Sequence, residues 1–184
     1  MRKIIYWVHT SVDGFIAGPH GEFDWPAMGP ELSAYADEMD DQIDTFLYGR
    51  VVWELMASYW PDADSNSDDS HTRNFAPKWR AFPKVVVSRT LTEIGWNGRV
   101  VDDLGEVAAL KATEGKDILL TGGVQLASSL TAKGLIDDYR VVVHPVVLGG
   151  GPKLFPNQDA RLNLQLTDTR TFDGRSVLLR YVPA

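Results

Sequence analysis

Three junctions in the sequence place residues suited to binding phosphate directly after an apolar, strand-like run. They are Gly49-Arg50, Ser88-Arg89 and Thr121-Gly122-Gly123. In open parallel sheets, ligands lie outside the carboxyl ends of the strands, where the first N–H groups of helices carry partial positive charge. Glycine lets the backbone approach a pyrophosphate, and arginine offers a planar fork of donors. Each junction alone is also ordinary turn chemistry, but the three together indicate a dinucleotide phosphate site.

The sequence lacks the motifs of several other nucleotide and nucleophile sites. No junction completes a GxGxxG pattern, and no Lys-Ser/Thr pair follows Gly149-Gly150-Gly151 to make a P-loop. A GxSxG elbow is missing around Ser11, Ser88 and Ser128, so a hydrolase triad has little support. Without cysteine, the chain has no thiolate nucleophile and no Cys-based metal site.

Carboxylates and histidines offer candidate acid–base groups, but residue type and spacing do not choose among them. The carboxylates expected near the mouth of the site are Asp13, Asp24, Glu31 and Glu54. No metal site is predicted, because the spacing of a metal cluster is missing among the four histidines His9, His20, His71 and His144. The apolar strand around His144 favours a packed or hydrogen-bonded core residue there.

The composition is that of an ordinary globular protein, which we expect to form a single domain over residues 1–184. The chain is 44% apolar and 23% charged, and its 184 residues can bury a sizeable core. A net charge of −7 with scattered basic residues argues against nucleic acid and membranes as partners. No apolar stretch approaches the length of roughly 20 residues that a membrane span needs. The absence of cysteine fits a cytoplasmic location.

Strand-like and helix-like segments alternate through the first two thirds of the chain. β-Branched and aromatic residues predict buried strands at 3–9, 45–48, 84–88 and 117–121. Apolar spacing predicts helices at about 31–39, 50–58, 104–112 and 124–130. This alternation is typical of a largely parallel sheet covered by helices.

The last third of the chain has a different pattern, that of consecutive strands. Strands are predicted at 139–143 and 146–148, and leucines alternate with polar residues over 162–166. Asp173-Gly174 then stands before another alternating run at 177–181, which is a strong hairpin signal. We therefore predict an α/β fold with a mostly parallel central sheet, flanking helices and a C-terminal antiparallel hairpin.

The segment from Pro61 to Thr72 is rich in Asp, Ser and Asn, and Ala63 is its only apolar residue. This composition predicts a mobile acidic surface loop that does not pack. A calcium loop is the alternative, but such loops need a glycine at the sharp turn and a terminal bidentate glutamate. Neither is present, so we favour the plain loop.

Four segments spread over nearly the whole chain carry a family resemblance. They are Ser11-Val-Asp-Gly-Phe-Ile-Ala17, Leu47-Tyr-Gly-Arg-Val-Val-Trp-Glu54, Lys84-Val-Val-Val-Ser-Arg-Thr-Leu91, and Gly134-Leu-Ile-Asp-Asp-Tyr-Arg140 leading into Pro145-Val-Val-Leu-Gly-Gly-Gly-Pro-Lys-Leu-Phe155. Through them the chain resembles the dihydrofolate-reductase-like superfamily, in particular the branch of the riboflavin-biosynthesis reductase domain and its stand-alone relatives. The resemblance implies that fold, and NADPH as cofactor.

The same resemblance implies which residues bind the cofactor. Gly49 and Arg50 would contact its phosphates, and Ser88 and Arg89 would hold the region of the adenosine 2′-phosphate. The pyrophosphate would rest on the helix start formed by Thr121, Gly122, Gly123 and Val124. The nicotinamide would be bordered by Ile16 and Ala17.

On the substrate side the chain departs from both dihydrofolate reductases and riboflavin-pathway reductases. Dihydrofolate reductases carry a buried carboxylate in the first helix, a few residues after a tryptophan. Here Glu31 follows Trp25 at nearly that spacing, and Asp24 is close by, so these two carboxylates are the candidate catalytic acids. The extra arginines and the threonine segment of riboflavin-pathway reductases are not found around Gly49, and the zinc-binding deaminase half is absent.

The leading hypothesis is hydride transfer from NADPH to a small heterocycle of the pteridine or pyrimidine type. The cofactor supplies the chemistry, and the protein aligns donor and acceptor. The alternative is a non-catalytic NADP(H)-binding homodimer or redox sensor. A homodimer is expected in either case, because relatives of this kind often pair through their C-terminal strands.

Overall fold

The computed structural model describes residues 1–156 and 160–184. Its strands are β1 (Ile4–Ser11), β2 (Ile43–Gly49), β3 (Lys84–Val87), β4 (Gly98–Val101), β5 (Asp117–Thr121), β6 (Asp138–His144), β7 (Leu164–Phe172) and β8 (Ser176–Pro183). Its α-helices are α1 (Pro30–Asp40), α2 (Arg50–Tyr59), α3 (Ser70–Ala81), α4 (Leu104–Ala112) and α5 (Val124–Ala132). A 3-10 helix spans Trp60–Ser65.

All eight of these strands form one sheet, in the order β4-β3-β2-β5-β1-β6-β8-β7. The strands from β4 to β6 are parallel, whereas β8 runs antiparallel to β6 and β7 antiparallel to β8. The carboxyl ends of the parallel strands therefore meet at one side of the sheet, here called the carboxyl edge. The predicted α/β fold with a C-terminal hairpin is confirmed.

Apolar residues of the strands divide between two cores, one on each face of the sheet. Tyr6 and Val8 belong to the core beneath α4 and α5, while Trp7 belongs to the core beneath α1, α2 and α3. Because successive side chains of a strand point to opposite faces, a strand buried on both faces reads as a continuous apolar run. This is why β1 has no polar alternation in its first five residues.

The predicted strand at 146–148 is wrong, because β6 ends at His144. Pro145 has no N–H to give to a ladder. Beyond it, the Val146 N–H donates to the His144 carbonyl over 2.8 Å, which turns the chain. The Val146 carbonyl then accepts a hydrogen bond from the Val12 N–H over 2.9 Å. This bond ties the segment after β6 to the segment after β1.

The prediction of an unpacked loop over Pro61 to Thr72 is also wrong. The 3-10 helix occupies its first part, and Ala63 is buried. Asp64 accepts two hydrogen bonds from the guanidinium of Arg80, at 2.9 and 2.8 Å. Asp69 accepts from the Thr72 N–H and so caps the start of α3. Asp64 therefore serves as an ion-pair partner and Asp69 as a helix cap, and the mobility of the segment stays a prediction.

The described α-helices have between 9 and 12 residues. α3 was not predicted, because its sequence is polar and contains Pro77. It is held by the full burial of Trp79 and Ala76. Among the described residues, no helix combines the length and the apolar character that crossing a membrane requires.

Candidate functional site

The predicted phosphate-binding junctions come together at the carboxyl edge. β3, β2 and β5 are neighbours in the sheet, and the three junctions begin where these strands end. Ser88-Arg89, Gly49-Arg50 and Gly122-Gly123 therefore follow one another along the edge. The sequence placed each junction after a strand, and the strand order makes the three contiguous.

Two helices begin at this edge with no side chain bonded to their first N–H groups. The N-cap residues are Gly49 for α2 and Gly123 for α5. Elsewhere Asp69 caps α3 and Asp103 caps α4. An uncapped helix start has unpaired N–H donors and the positive end of the helix dipole, and both favour an anion. The exposed Arg50 adds a positive charge at the start of α2.

The turn into α5 depends on two glycines in the left-handed region, Gly122 at φ 55° and Gly123 at φ 66°. Other residues adopt this conformation only at a cost of about 1–2 kcal/mol. The Gly122 N–H donates to the Trp7 carbonyl over 3.3 Å, and a Cβ on Gly123 would lie 3.3 Å from Val52 Cγ2. The turn thus lies between β1 and α2 and brings the two uncapped helix starts side by side.

Ser88 shapes the turn that presents Arg89. Its side chain is buried, and its hydroxyl accepts from the N–H groups of Thr90 and Leu91 over 3.2 and 3.0 Å. Arg89 is exposed beside this turn. The structure therefore assigns Ser88 a local role in the turn, and contact with a phosphate stays a prediction for both residues.

The segment after β1, which carries Ile16 and Ala17, lies against the glycine run that follows β6. The Ile16 N–H donates to the Pro152 carbonyl over 2.9 Å. Asp13 accepts from the N–H groups of Leu148 and Gly149 over 3.1 and 2.8 Å. A Cβ on Gly151 would lie only 2.2 Å from the Ala17 carbonyl oxygen. Gly149-Gly150-Gly151 is therefore a close-packed support for Ile16 and Ala17.

A pair of histidines lies at the ends of β1 and β6. His9 Nδ1 and His144 Nε2 are 2.8 Å apart and share a hydrogen bond. His144 is 2% exposed, which confirms the prediction of a hydrogen-bonded core residue. The pairing of the two histidines was not predicted, because it depends on how β1 and β6 align. In their parallel register His144 lies opposite Ser11, which is two residues after His9. The available signal was that both histidines stand near predicted strand ends.

Both histidines favour the neutral form. Burial lowers the pKa of His9 far below its usual range, and the neighbouring His144 and His71 lower that pKa further. Burial also lowers the pKa of His144, with a smaller contribution from the charge of Arg175. A neutral pair has one shared N–H and can exchange protons without carrying a net charge.

Aromatic side chains surround the histidine pair. Trp7 lies edge-on to His9 with ring centroids 5.2 Å apart. From the segment between β1 and α1, Phe23 approaches His9 with a centroid distance of 6.4 Å. Trp25 approaches His144 at 5.6 Å and contacts Phe23 at 5.5 Å. Phe23 is 58% exposed, so this aromatic cover borders solvent.

The predicted acids Glu31 and Asp24 are both exposed. The Glu31 carboxylate accepts a hydrogen bond from the Asp173 N–H, in the turn between β7 and β8. Asp173 in return accepts from the N–H groups of Glu31 and Leu32 and so caps α1. Glu31 thus has a structural partner that the sequence did not reveal, and a catalytic role for either carboxylate stays a prediction.

One group of carboxylates in the described residues is compact enough to share a cation. The ligand atoms of Asp102, Asp103 and Glu106 lie within 4.8 Å of one another, and all three residues are exposed. Asp103 uses its carboxylate to cap α4. Caps and solvated surface charges account for this group, and we assign it no metal.

The sequence matches the model of the RibD C-terminal domain over residues 2–178. The chain belongs to this family. It is similar to the uncharacterized protein YyaP of Bacillus subtilis strain 168, at 39% identity over 182 residues that cover 98% of this chain and 94% of YyaP. It is also similar to YwjB of the same organism, at 28% identity with 100% of this chain and 99% of YwjB covered.

Solved structures place the fold of this RibD C-terminal domain protein among reductase folds. A putative riboflavin biosynthesis protein from Shewanella sp. PV-4 is similar with a TM-score of 0.77 at 22% identity, covering 100% of this chain and 99% of that one. Dihydrofolate reductase from Enterococcus faecalis, solved with NADP(H), is similar with a TM-score of 0.67 at 14% identity, covering 98% and 96%. The resemblance stated from the sequence is confirmed, together with a reductase-like fold.

Proposed function

We propose that this protein is an NADPH-dependent reductase that transfers hydride to a small heterocycle of the pteridine or pyrimidine type. The observation that carries the proposal is the convergence at the carboxyl edge. Three sequence junctions of the phosphate-binding type lie on neighbouring strands, beside two helix starts whose first N–H groups have no side-chain cap. Family membership and the likeness to a reductase solved with NADP(H) support the same conclusion.

The residues at the edge fit the chemical groups of NADPH. Gly49 and Gly123 begin two helices whose first N–H groups have no side-chain cap, as a pyrophosphate requires. Arg50 directly after β2 and Arg89 after the neighbouring β3 are exposed cations, suited to phosphate oxygens. Ile16 and Ala17 would border the nicotinamide. When bound, NADPH would supply the hydride.

The protein's own contribution to the reaction would be alignment and exclusion of water. The left-handed turn at Gly122 is hydrogen-bonded to β1 at Trp7, two residues before His9. The proposed cofactor side and the aromatic surroundings of His9 therefore meet across β1. If the site holds NADPH and the heterocycle side by side, hydride transfer between them becomes effectively unimolecular.

The first test is the melting temperature of the purified protein with saturating NADPH, with NADH and with neither. A ligand at a hundredfold excess over its Kd adds about 2.7 kcal/mol, which corresponds to a rise of about 5–10 °C for a chain of this size. We expect this rise with NADPH. No shift with either nucleotide would refute the proposal. A shift without NADPH oxidation across pterin, pyrimidine, quinone and carbonyl acceptors would support the non-catalytic alternative.

A further inference from the structure

We propose that His9 and His144 form a two-imidazole proton relay in the substrate half of this site, with His9 facing the acceptor. The inference rests on the proposed reductase function and extends it to the proton-handling residues. It also narrows the acceptor to a neutral, flat nitrogen heterocycle.

The position of the pair is the first support. His9 stands on β1 two residues beyond Trp7, whose carbonyl accepts from the Gly122 N–H in the turn that begins α5. It is the less buried histidine of the two, whereas His144 is 2% exposed behind it. A partly exposed imidazole near the proposed cofactor site, hydrogen-bonded to a buried second imidazole, is placed to contact a substrate.

The hydrogen bond of the pair determines what it can do. Two neutral imidazoles hold two N–H protons, and one of these lies between His9 Nδ1 and His144 Nε2. The other proton is therefore on one outward nitrogen, either His9 Nε2 or His144 Nδ1. In the described part of the chain, the structure gives neither ring a second hydrogen bond to protein. The outward nitrogens are therefore the atoms through which the pair would exchange protons with a ligand or with water.

Reduction of a C=N bond would use the pair as follows. The carbon receives hydride from NADPH, the π electrons move to nitrogen, and that nitrogen takes the proton of His9 Nε2. In the same step His9 Nδ1 takes the shared proton from His144 Nε2, and His144 Nδ1 takes a proton from a water molecule, which leaves hydroxide to the solvent. Both rings stay neutral throughout. Exchange with water after product release restores the first tautomer.

The surroundings of the pair define the acceptor class. Phe23, Trp25 and Trp7 present ring faces and edges around the two histidines, which suits a flat aromatic ring. The charged or titratable groups that act on the pair are Arg175 from the turn between β7 and β8, and His71 from α3. Neither histidine has a carboxylate partner among its hydrogen bonds to described residues. A neutral heterocycle therefore fits better than a cationic one.

The experiment follows the histidine nitrogens directly. Full-length protein with ¹⁵N-labelled imidazoles is saturated with NADP⁺ and titrated with pterin, while pterin fluorescence reports binding. We expect the nitrogens of His9 and His144 to shift, and those of the exposed control His20, between β1 and α1, to stay in place. In His144→Gln we expect the His9 tautomer to change.

A kinetic arm separates a relay from a merely structural pair. With NADPH and 7,8-dihydropterin, we expect His9→Gln to lower kcat on the order of 100-fold and His144→Gln about 10-fold. The melting shift with NADPH should stay unchanged in both variants. The proton inventory in H₂O–D₂O mixtures should be curved for the wild type, because several protons move together, and linear for His144→Gln. His20→Gln should match the wild type.

The outcomes distinguish this inference from the proposed function. A wild type without a melting shift with NADPH defeats the proposed function, and the relay with it. If NADPH binds but pterin does not, or pterin binds without shifting either histidine, the relay alone is overturned. A kcat within twofold of the wild type in both variants also overturns it. Absence of NADPH oxidation with 7,8-dihydropterin overturns the heterocycle class.

Discussion

If the proposed function holds, Arg89 is the side chain at the carboxyl edge that we expect to distinguish NADPH from NADH. It is exposed directly after β3, on a turn that the buried Ser88 hydroxyl holds in shape. Charge-assisted hydrogen bonds are worth about 1.5–3 kcal/mol. We therefore expect Arg89→Ala to weaken NADPH binding about 10- to 100-fold and to leave NADH binding nearly unchanged.

Isothermal titration with both nucleotides would measure this difference. Lys133→Ala is the matched control, since it removes an exposed positive charge at the opposite end of α5. Equal losses of NADPH affinity in the two variants would mean that Arg89 acts only through net charge. The proposed contact with the 2′-phosphate would then be wrong.

Asp173 and Glu31 hold each other by reciprocal hydrogen bonds between a side chain and a backbone N–H. Asp173 has a φ of 54°, in the left-handed region, so Asp173→Gly removes the cap of α1 without adding strain. We expect this variant to lose about 1 kcal/mol of unfolding free energy, as for other N-caps. Glu31→Ala should lose a similar amount.

Urea unfolding of the wild type, the two single variants and the double variant gives the four unfolding free energies of a double-mutant cycle. Because the residues are in direct contact, the double variant should be more stable than the sum of the single losses predicts. Strict additivity would show that the reciprocal bonds do not couple the hairpin to α1. Glu31 would then be free for the catalytic role predicted from its spacing after Trp25.

At the scale of elements, α5 offers an internal comparison, because a left-handed glycine lies at each of its ends. Gly123 at φ 66° precedes the helix, and Gly134 at φ 63° follows it. A Cβ on Gly123 would press on Val52 Cγ2 at 3.3 Å, whereas a Cβ on Gly134 has nothing within 4 Å. Both alanine variants should lose about 1–2 kcal/mol of stability to backbone strain.

Only the change at the start of α5 should affect nucleotide binding. Gly123→Ala displaces the turn that presents the uncapped N–H groups, so we expect the melting shift with NADPH to shrink by more than half. Gly134→Ala should melt at a lower temperature than the wild type without nucleotide, but its melting temperature should rise with NADPH by the same amount. Equal shifts in the two variants would remove the start of α5 from the proposed cofactor site.

For the whole molecule, the parts predictable from sequence are those encoded by local periodicity. The continuous apolar run of β1, the helical spacing of α4 and the Asp173-Gly174 turn each led to the correct element. The polar segment before α3 was misjudged because its order comes from distant partners such as Arg80. The short β4 was missed because its pairing with β3, not its sequence, makes it a strand.

The candidate site divides in the same way. The glycine and arginine junctions were visible because each one directly follows its own strand. The histidine pair joins β1 to β6 across 135 positions of sequence, so only the register reveals it. The Glu31–Asp173 bonds span 142 positions and were equally hidden. Contacts between strand ends that are remote in sequence are what the structure adds.

The lowered pKa values of His9 and His144 make the stability of the whole protein depend on pH. The unfolded chain binds protons at these histidines near pH 6.5, whereas the folded protein holds their pKa values lower. The unfolding free energy therefore falls as the pH drops below 6.5. From pH 7 to pH 5 the loss is about 2 kcal/mol for a histidine whose folded pKa lies well below 5.

Asp40 acts in the opposite direction, because burial raises its pKa to about 6. The folded state then gains protons at Asp40 over the same range. Burial also lowers the pKa of His71, which adds to the effect of the pair, so the pH dependence of the wild type combines opposing contributions. The contribution of the histidine pair is isolated by comparison with His9→Gln/His144→Gln, in which Asp40 is unchanged. We expect the double variant to lose at least about 2 kcal/mol less than the wild type between pH 7 and pH 5.

Urea unfolding at a series of pH values measures both curves, with His20→Gln as the control for removal of an exposed histidine. That control should follow the wild type. If the double variant and the wild type lose the same free energy on acidification, the pair is protonated in the folded protein at the same pH as in the unfolded chain. A neutral relay would then be excluded, because one of its two rings would already carry a charge near pH 6.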